Sequence, residues 1–148
     1  MKEPKKGPYK PKNPQKYKGN PTKIIYRSGL ELSVMKHFDN HPQVVEWSSE
    51  EIIVPYRCKT DNKIHRYFPD FVVTFMKNGV RETHMIEVKP FKQTQEPKKT
   101  PGKKQQVYLN EVMTYAKNYS KWEAAKEYCA DRKWKFTILT EQQILGKK

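Results

Sequence analysis

Apolar residues are scarce in this 148-residue chain, at 35% of the total, and acids are outnumbered by bases, 16 Asp and Glu against 30 Lys and Arg. The first shortage limits the chain to one modest core, with part of the sequence outside it. No apolar run approaches the ~18 residues of a bilayer-spanning helix, and the N-terminus carries no apolar stretch of signal-peptide type. The only two cysteines, Cys58 and Cys129, are far apart and form no C-x-x-C pattern. They read as buried thiols of a reducing compartment rather than as a disulfide or a zinc site. His37, His41, His65 and His84 likewise lack zinc-ligand spacing. Internal repeats are absent. Neither a helix-turn-helix nor a zinc finger is visible, so base-specific reading of a nucleic acid is not expected. No basic amphipathic helix opens the chain, which argues against a membrane surface as partner.

What the chain has in excess is positive charge. The formal net charge is +14, which calls for a polyanionic partner unless it serves solubility alone. The lysines cluster in two places, residues 1–23 and the stretch from Lys89 to Lys104. Residues 1–23 hold eight lysines, five prolines and one acid. Such a segment buries too little to offset the entropy of ordering it, and is expected to be a flexible basic arm. Residues 24–148 are then the folded domain.

Within that domain, Ser28-Gly29-Leu30-Glu31 is a capping-box pattern that predicts a helix over 29–39, with Leu30, Val34 and Phe38 facing the core. Asp39-Asn40-His41-Pro42 ends it. Three β-rich stretches follow: Ile52 to Val54, Lys63 to Met76, and Arg81 to Val88. The last two are joined by an Asn78-Gly79 turn, so they should pair antiparallel. Pro90 to Gly102 reads as a loop. Tyr108, Val112, Tyr115, Ala116 and Tyr119 then fall on one face of a helix, with the aromatic stripe read as core packing. Ser120-Lys121-Trp122-Glu123 is a second capping box, predicting a separate helix to Asp131. Trp134 to Leu139 forms a last strand. The order α-β-β-β-α-α-β gives an α/β (α+β) domain with a mixed central sheet.

Two short motifs carry chemistry. Phe68-Pro69-Asp70-Phe71 and Ile86-Glu87-Val88-Lys89 lie on strands joined by the hairpin. Residues i and i+2 of a strand share a face, so Glu87 and Lys89 point together, and Asp70 can come alongside them. Two carboxylates at one place repel unless a cation holds them. A hard divalent ion does so while still binding water and phosphate. Lys89 could then position an attacking water or offset charge growing on phosphorus. The alternative is a solvated surface pair, against which the apolar and β-branched neighbours argue, because unpaired charge is costly to bury.

Taken in this order, Pro69-Asp70 and Glu87-Val88-Lys89 resemble the signature of the PD-(D/E)xK nucleases. The stretch His65 to Phe71 is similar to the transposase-endonuclease branch of that superfamily, and the whole chain resembles the head-completion nucleases of T4-like tailed phages. The resemblance implies a restriction-endonuclease-like core, and metal binding by Asp70 and Glu87, with Lys89 assisting catalysis. Tyr26 to Glu31 resembles the first helix of that fold. The likeness places Glu31 in the metal site, although Glu31 is also the third residue of its capping box. It further implies Mg2+ as cofactor, with Mn2+ as a substitute, and DNA as substrate for endo- or exonucleolytic cutting. Phage head, portal or neck components are the implied protein partners, in the host cytoplasm during assembly or in the virion.

Arg27 could clamp a phosphate or pair with an acid, and strand alternation puts Arg66 on the Asp70 face. Lys92, Lys98, Lys99, Lys103 and Lys104 are expected to hold DNA phosphates without reading sequence. Neutralising about six phosphates would give a logarithmic salt slope of roughly −5. A non-catalytic DNA-binding or capsid-assembly protein on the same fold is the alternative function. A ribosomal-style RNA-binding protein is a third, which leaves the Glu-x-Lys motif unexplained.

Overall fold

The computed structural model describes residues 6–144; the start of the expected arm, residues 1–5, and the last part of the expected domain, residues 145–148, lie outside them. A four-stranded mixed sheet forms the centre, built from β3 (Val44–Ser49), β6 (Phe71–Lys77), β7 (Val80–Val88) and β8 (Lys135–Leu139), in that order. The first two pairings are antiparallel and the last is parallel. Two-stranded ribbons flank it: β1 (Gly7–Pro8) with β2 (Ile25–Tyr26), and β4 (Val54–Arg57) with β5 (Ile64–Tyr67). Helix α1 (Gly29–Asn40) covers one face and α2 (Gln105–Arg132) the other, with a short α3 (Glu141–Ile144) at the end. The mixed sheet between helices is the architecture expected of the sequence.

Strand alternation divides the core in two. Phe71, Val73 and Ile86 join Val34, Met35 and Phe38 of α1, with Trp47 of β3. The Phe38 and Phe71 rings meet edge to face at 5.5 Å. Met85 points the other way and packs with Tyr67, Ala125 and Cys129. Both cysteines are free and buried, as expected. Helix α1 starts where its capping box predicts: Ser28 Oγ accepts the Glu31 N–H at 3.1 Å. The hairpin between β6 and β7 turns through Asn78 and Gly79, both at positive φ (51° and 79°), as a tight turn matched to strand twist requires.

Several expectations change. Strand β3 was not read at all: Val44-Val45-Glu46-Trp47-Ser48-Ser49 has no clean alternation, and a register shift interrupts its pairing with β6. The stretch Lys63 to Met76 is two strands, since the chain leaves β5 at Phe68 and re-enters the main sheet only at Phe71. The first β-rich stretch forms a strand over Val54–Arg57, later than Ile52 to Val54. No helix begins at Ser120. Its hydroxyl bonds back to the Ala116 carbonyl at 3.0 Å and accepts the Lys59 N–H at 3.1 Å, so α2 runs on unbroken for 28 residues. Its buried positions are Asn118, Ser120, Trp122, Ala125 and Cys129, with none before Asn118. The first half stands off the domain with Val107, Leu109, Val112 and Met113 exposed, and Tyr119 is 42% exposed. Tyr108 and Tyr115 are half-buried and Tyr119 is exposed, so the tyrosine stripe is not part of the buried core.

Residues 6–23 also differ from the free arm expected of them. Tyr17 is buried, its ring edge-on to Trp47 at 4.8 Å, and the Lys18 N–H donates to the Trp47 carbonyl at 2.8 Å. The segment thus covers the outer edge of β3, which would otherwise present unpaired backbone. Asp39, fully buried at the end of α1, fastens it. Its carboxylate accepts the Tyr9 hydroxyl (2.7 Å) and the Lys12 and Asn13 N–H groups (2.7 and 2.9 Å). Burial alone would raise the Asp39 pKa, but these hydrogen bonds outweigh it and hold the group below the usual carboxylate range. Asp39→Ala is expected to cost on the order of 3 kcal/mol, since it strands three donors. Trypsin should then cut the lysines of residues 6–23 first. In the wild type the stability due to Asp39 is present near neutral pH and is lost as pH falls through its lowered pKa; equal urea midpoints for the two proteins would refute the anchor.

Candidate active site

The three groups singled out by spacing meet where β6 and β7 part. Phe71 pairs with Ile86, so Asp70, one residue before, stands level with Glu87, one residue after. Beyond that point β7 stays paired only to β8, with Glu87 opposite Ile138 and Val88 opposite Leu139. The Val88 N–H, which a longer β6 would have paired, donates instead to Asp70 Oδ2 at 2.7 Å. Ending β6 at this position is what brings the carboxylate into the gap. Pro69, fully buried, cannot donate to a ladder and helps to end it.

Glu87 is 5% exposed. Its Oε1 accepts the Tyr67 hydroxyl, and its Oε2 lies 3.4 Å from Lys89 Nζ. Burial pushes the Glu87 pKa up, and Tyr67, Lys89 and Lys121 pull it partly back. Asp70 is pushed up to about 8, first by burial and then by the charge of Glu87. Without a cation, the pair is thus a proton-sharing one near neutral pH. Val88, between Glu87 and Lys89, packs toward the α1-side core, as alternation requires.

Glu31 approaches from the start of α1. Its Oε1 accepts the Arg27 N–H at 3.0 Å, so its carboxylate serves the helix entry. Burial raises its pKa, and the charges of Glu50 and Glu87 add to this; it therefore feels the site electrostatically. Arg27 resolves toward the acid-pairing alternative: its Nε donates to Glu50 Oε2 at 2.8 Å. Glu50 sits at positive φ (54°), a costly conformation for a non-glycine residue, and its N–H donates to the Asp70 carbonyl at 3.2 Å.

Arg66 is a correction. It lies on β5 opposite Pro55 and is exposed, because the Phe68-Pro69 break detaches β5 from the main sheet. Tyr67 faces the carboxylates in its place. Sequence reasoning also missed Lys121, half-buried on α2, with its Nζ 5.6 Å from the centre of the Tyr67 ring. The helix start assumed at Ser120 hid it, although Lys117 and Lys121 at i, i+4 spacing mark one helix face. Lys92, Lys98, Lys99 and Lys104 are exposed, while Lys103 is tied to Glu111 at 2.7 Å. Lys92, Lys98 and Lys103 line a groove of about 940 Å3 between residues 91–103 and the first half of α2, lined also by Phe91, Tyr115 and Asn118.

Among the described residues, no group of three or more His, Cys, Asp or Glu side chains is close enough to surround a metal ion. The donor set is instead a carboxylate pair, Asp70 half-buried and Glu87 buried. That fits magnesium, which usually takes one or two carboxylates and fills its remaining positions with water and phosphate oxygens. A divalent charge would also relieve the repulsion that holds the Asp70 pKa up.

Comparison with known proteins gives the family. Residues 41–141, which include Asp70, Glu87 and Lys89, match the family described as TnsA-like endonuclease N terminal. The chain is also similar to the head completion nuclease of Enterobacteria phage T4, at 40% identity over 143 residues, covering 93% of this chain and 92% of that protein. Matches of this extent, over a fold with the expected mixed sheet, show that the chain belongs to the TnsA-like endonuclease family of the PD-(D/E)xK nuclease superfamily.

Proposed function

We propose that the protein is a divalent-metal-dependent deoxyribonuclease that hydrolyses phosphodiester bonds with little sequence specificity. The observation that carries this reading is the pair of half-buried Asp70 and buried Glu87 with Lys89 beside it, at the point where two strands part. Asp70 is held by the Val88 N–H and Glu87 by Tyr67, so each carboxylate keeps its second oxygen for another partner. In Glu87 that oxygen now faces Lys89. Glu31 is the third acid of the set and would enter only by releasing the Arg27 N–H. A divalent ion bound to this pair supplies Lewis-acid activation of a phosphoryl oxygen and a lowered pKa for the attacking water. Lys89 then lies where its ammonium can offset the charge that develops on the phosphoryl oxygens. The exposed lysines around the α2 groove hold the flanking backbone of the DNA.

The relative's name, a head completion nuclease, extends the proposal to phage head completion; DNA and head, portal or neck components as partners, and the host cytoplasm as the place of action, are part of the same proposal. The test is cleavage of supercoiled plasmid by the purified full chain. Magnesium or manganese should convert the plasmid to nicked or shorter forms, and EDTA should stop this. A folded protein that retards plasmid in a gel but cuts nothing with either ion would replace this reading by a DNA-binding assembly protein.

A further inference from the structure

Lys121 stands apart from every other lysine near the site. It is half-buried on α2, yet among the described residues it forms no ion pair, whereas Lys89 and Lys103 each have a carboxylate within 4.0 Å. A partly desolvated ammonium without a partner is unfavourable unless something else justifies its place. Here its Nζ is packed over the Tyr67 ring, a cation–π contact that fixes it beside the carboxylate pair. Tyr67 is also the residue that holds Glu87, so one side chain positions both a candidate metal-binding acid and this cation. The charges that Lys121 feels come from Lys89 and Lys117 on the one hand, and from Glu87 and Asp70 on the other. Lys117 lies one helical turn away on the same face and is exposed. Lys89, Lys121 and Lys117 therefore form a line of positive charge that leaves the reaction centre along α2.

We propose that Lys121 is a substrate-binding residue: its ammonium takes the DNA phosphate next to the scissile one, and Lys117 extends the track outward. This rests on the nuclease reading and names how that site holds its substrate. A phosphate supplies the direct ion partner that neither carboxylate provides. It also explains why the ammonium lies over a ring instead of extending into solvent, since a cation already placed loses less further freedom on binding. In single turnovers with magnesium, such a contact fixes where the strand lies, which is worth more than its share of affinity.

The experiment measures binding of the full-length protein to a short DNA duplex in EDTA, by anisotropy, over a salt series. Losing one phosphate contact lowers the magnitude of the logarithmic salt slope by about 0.9. Lys121→Met should show this loss with an unchanged melting temperature, and Lys121→Arg should restore the slope. Lys126→Met, on the same helix but paired with Glu123, should leave it unchanged. Should Lys121→Met fail to fold, Lys121→Gln keeps the ring contact partly filled and answers the same question. A slope equal to wild type in the folded variant, or an equal fall in Lys126→Met, overturns the proposal. Neither outcome depends on cleavage, so absence of nuclease activity in the wild-type protein would be seen separately.

Discussion

Asp70→Asn abolishes cleavage and at the same time makes the metal-free protein more stable above neutral pH. The activity loss should be at least about 10³-fold, because the variant removes one of two acids that would share the ion. The gain in stability follows from burial. Asp70 ordinarily titrates near 3.8, and burial together with Glu87 raises it to about 8 in the folded protein. Between those values the folded state holds a proton that the unfolded state has released. Stability is therefore full below the lower value and falls as pH rises toward the upper one. Above it, the wild type carries the whole cost of two neighbouring like charges, one half-buried and one buried. Asparagine is neutral throughout and can still accept the Val88 N–H. The variant should gain at least ~1 kcal/mol at pH 8.5, or about 3 °C in a chain of this size, and lose the part of the slope between pH 4 and 8 that Asp70 contributes. Magnesium should stabilise the wild type at pH 8 and leave the variant largely unaffected. Melting curves in EDTA and in magnesium read all of this; a variant less stable than wild type at pH 8.5 would remove the argument that the acids strain one another.

Lys89→Met has the next largest effect, a fall of about 10²–10³ in single-turnover rate at saturating magnesium. Methionine keeps the length of the side chain and removes only the charge. Lys89→Arg should not restore the rate, because a planar guanidinium cannot replace a compact ammonium 3.4 Å from Glu87. Lys89 also lowers the Glu87 pKa against the effect of burial. Its loss raises that pKa further, so protons compete with the ion to a higher pH and the acidic limb of the rate profile moves up. A Lys89→Met enzyme with wild-type rate and an unmoved acidic limb would exclude Lys89 from the reaction.

Much of this was legible because it depended on near neighbours in sequence. Helix α1 starts at Ser28 because one hydroxyl reaches an N–H three residues on, and Asn78-Gly79 turns because two adjacent residues tolerate positive φ. Glu87 and Lys89 share a face by strand alternation alone. What failed did so for identifiable reasons. Arg66 was placed by continuing that alternation across Pro69, where the chain changes sheets. Ser120 was read as a cap because its side chain offers an acceptor, but Ala116 and Lys59 use that hydroxyl instead. Residues 6–23 were read as free because their composition is poor in apolar groups. Tyr17 and the distant Asp39 hold them, and an average over 23 residues does not register two such anchors.

By itself the sequence determined the order of acid, hairpin, acid and lysine, and with it the mixed sheet and the family. Those features follow from backbone sterics and side-chain periodicity, which act over a few residues. Only the tertiary structure decided that Asp70 takes the Val88 N–H where its strand ends, that Tyr67 rather than Arg66 faces the carboxylates, and that Lys121, more than thirty residues further along the chain, joins them from a helix. Such neighbours meet through packing of the two faces of one sheet, and the free energy of that packing is shared among many side chains and written in no short motif.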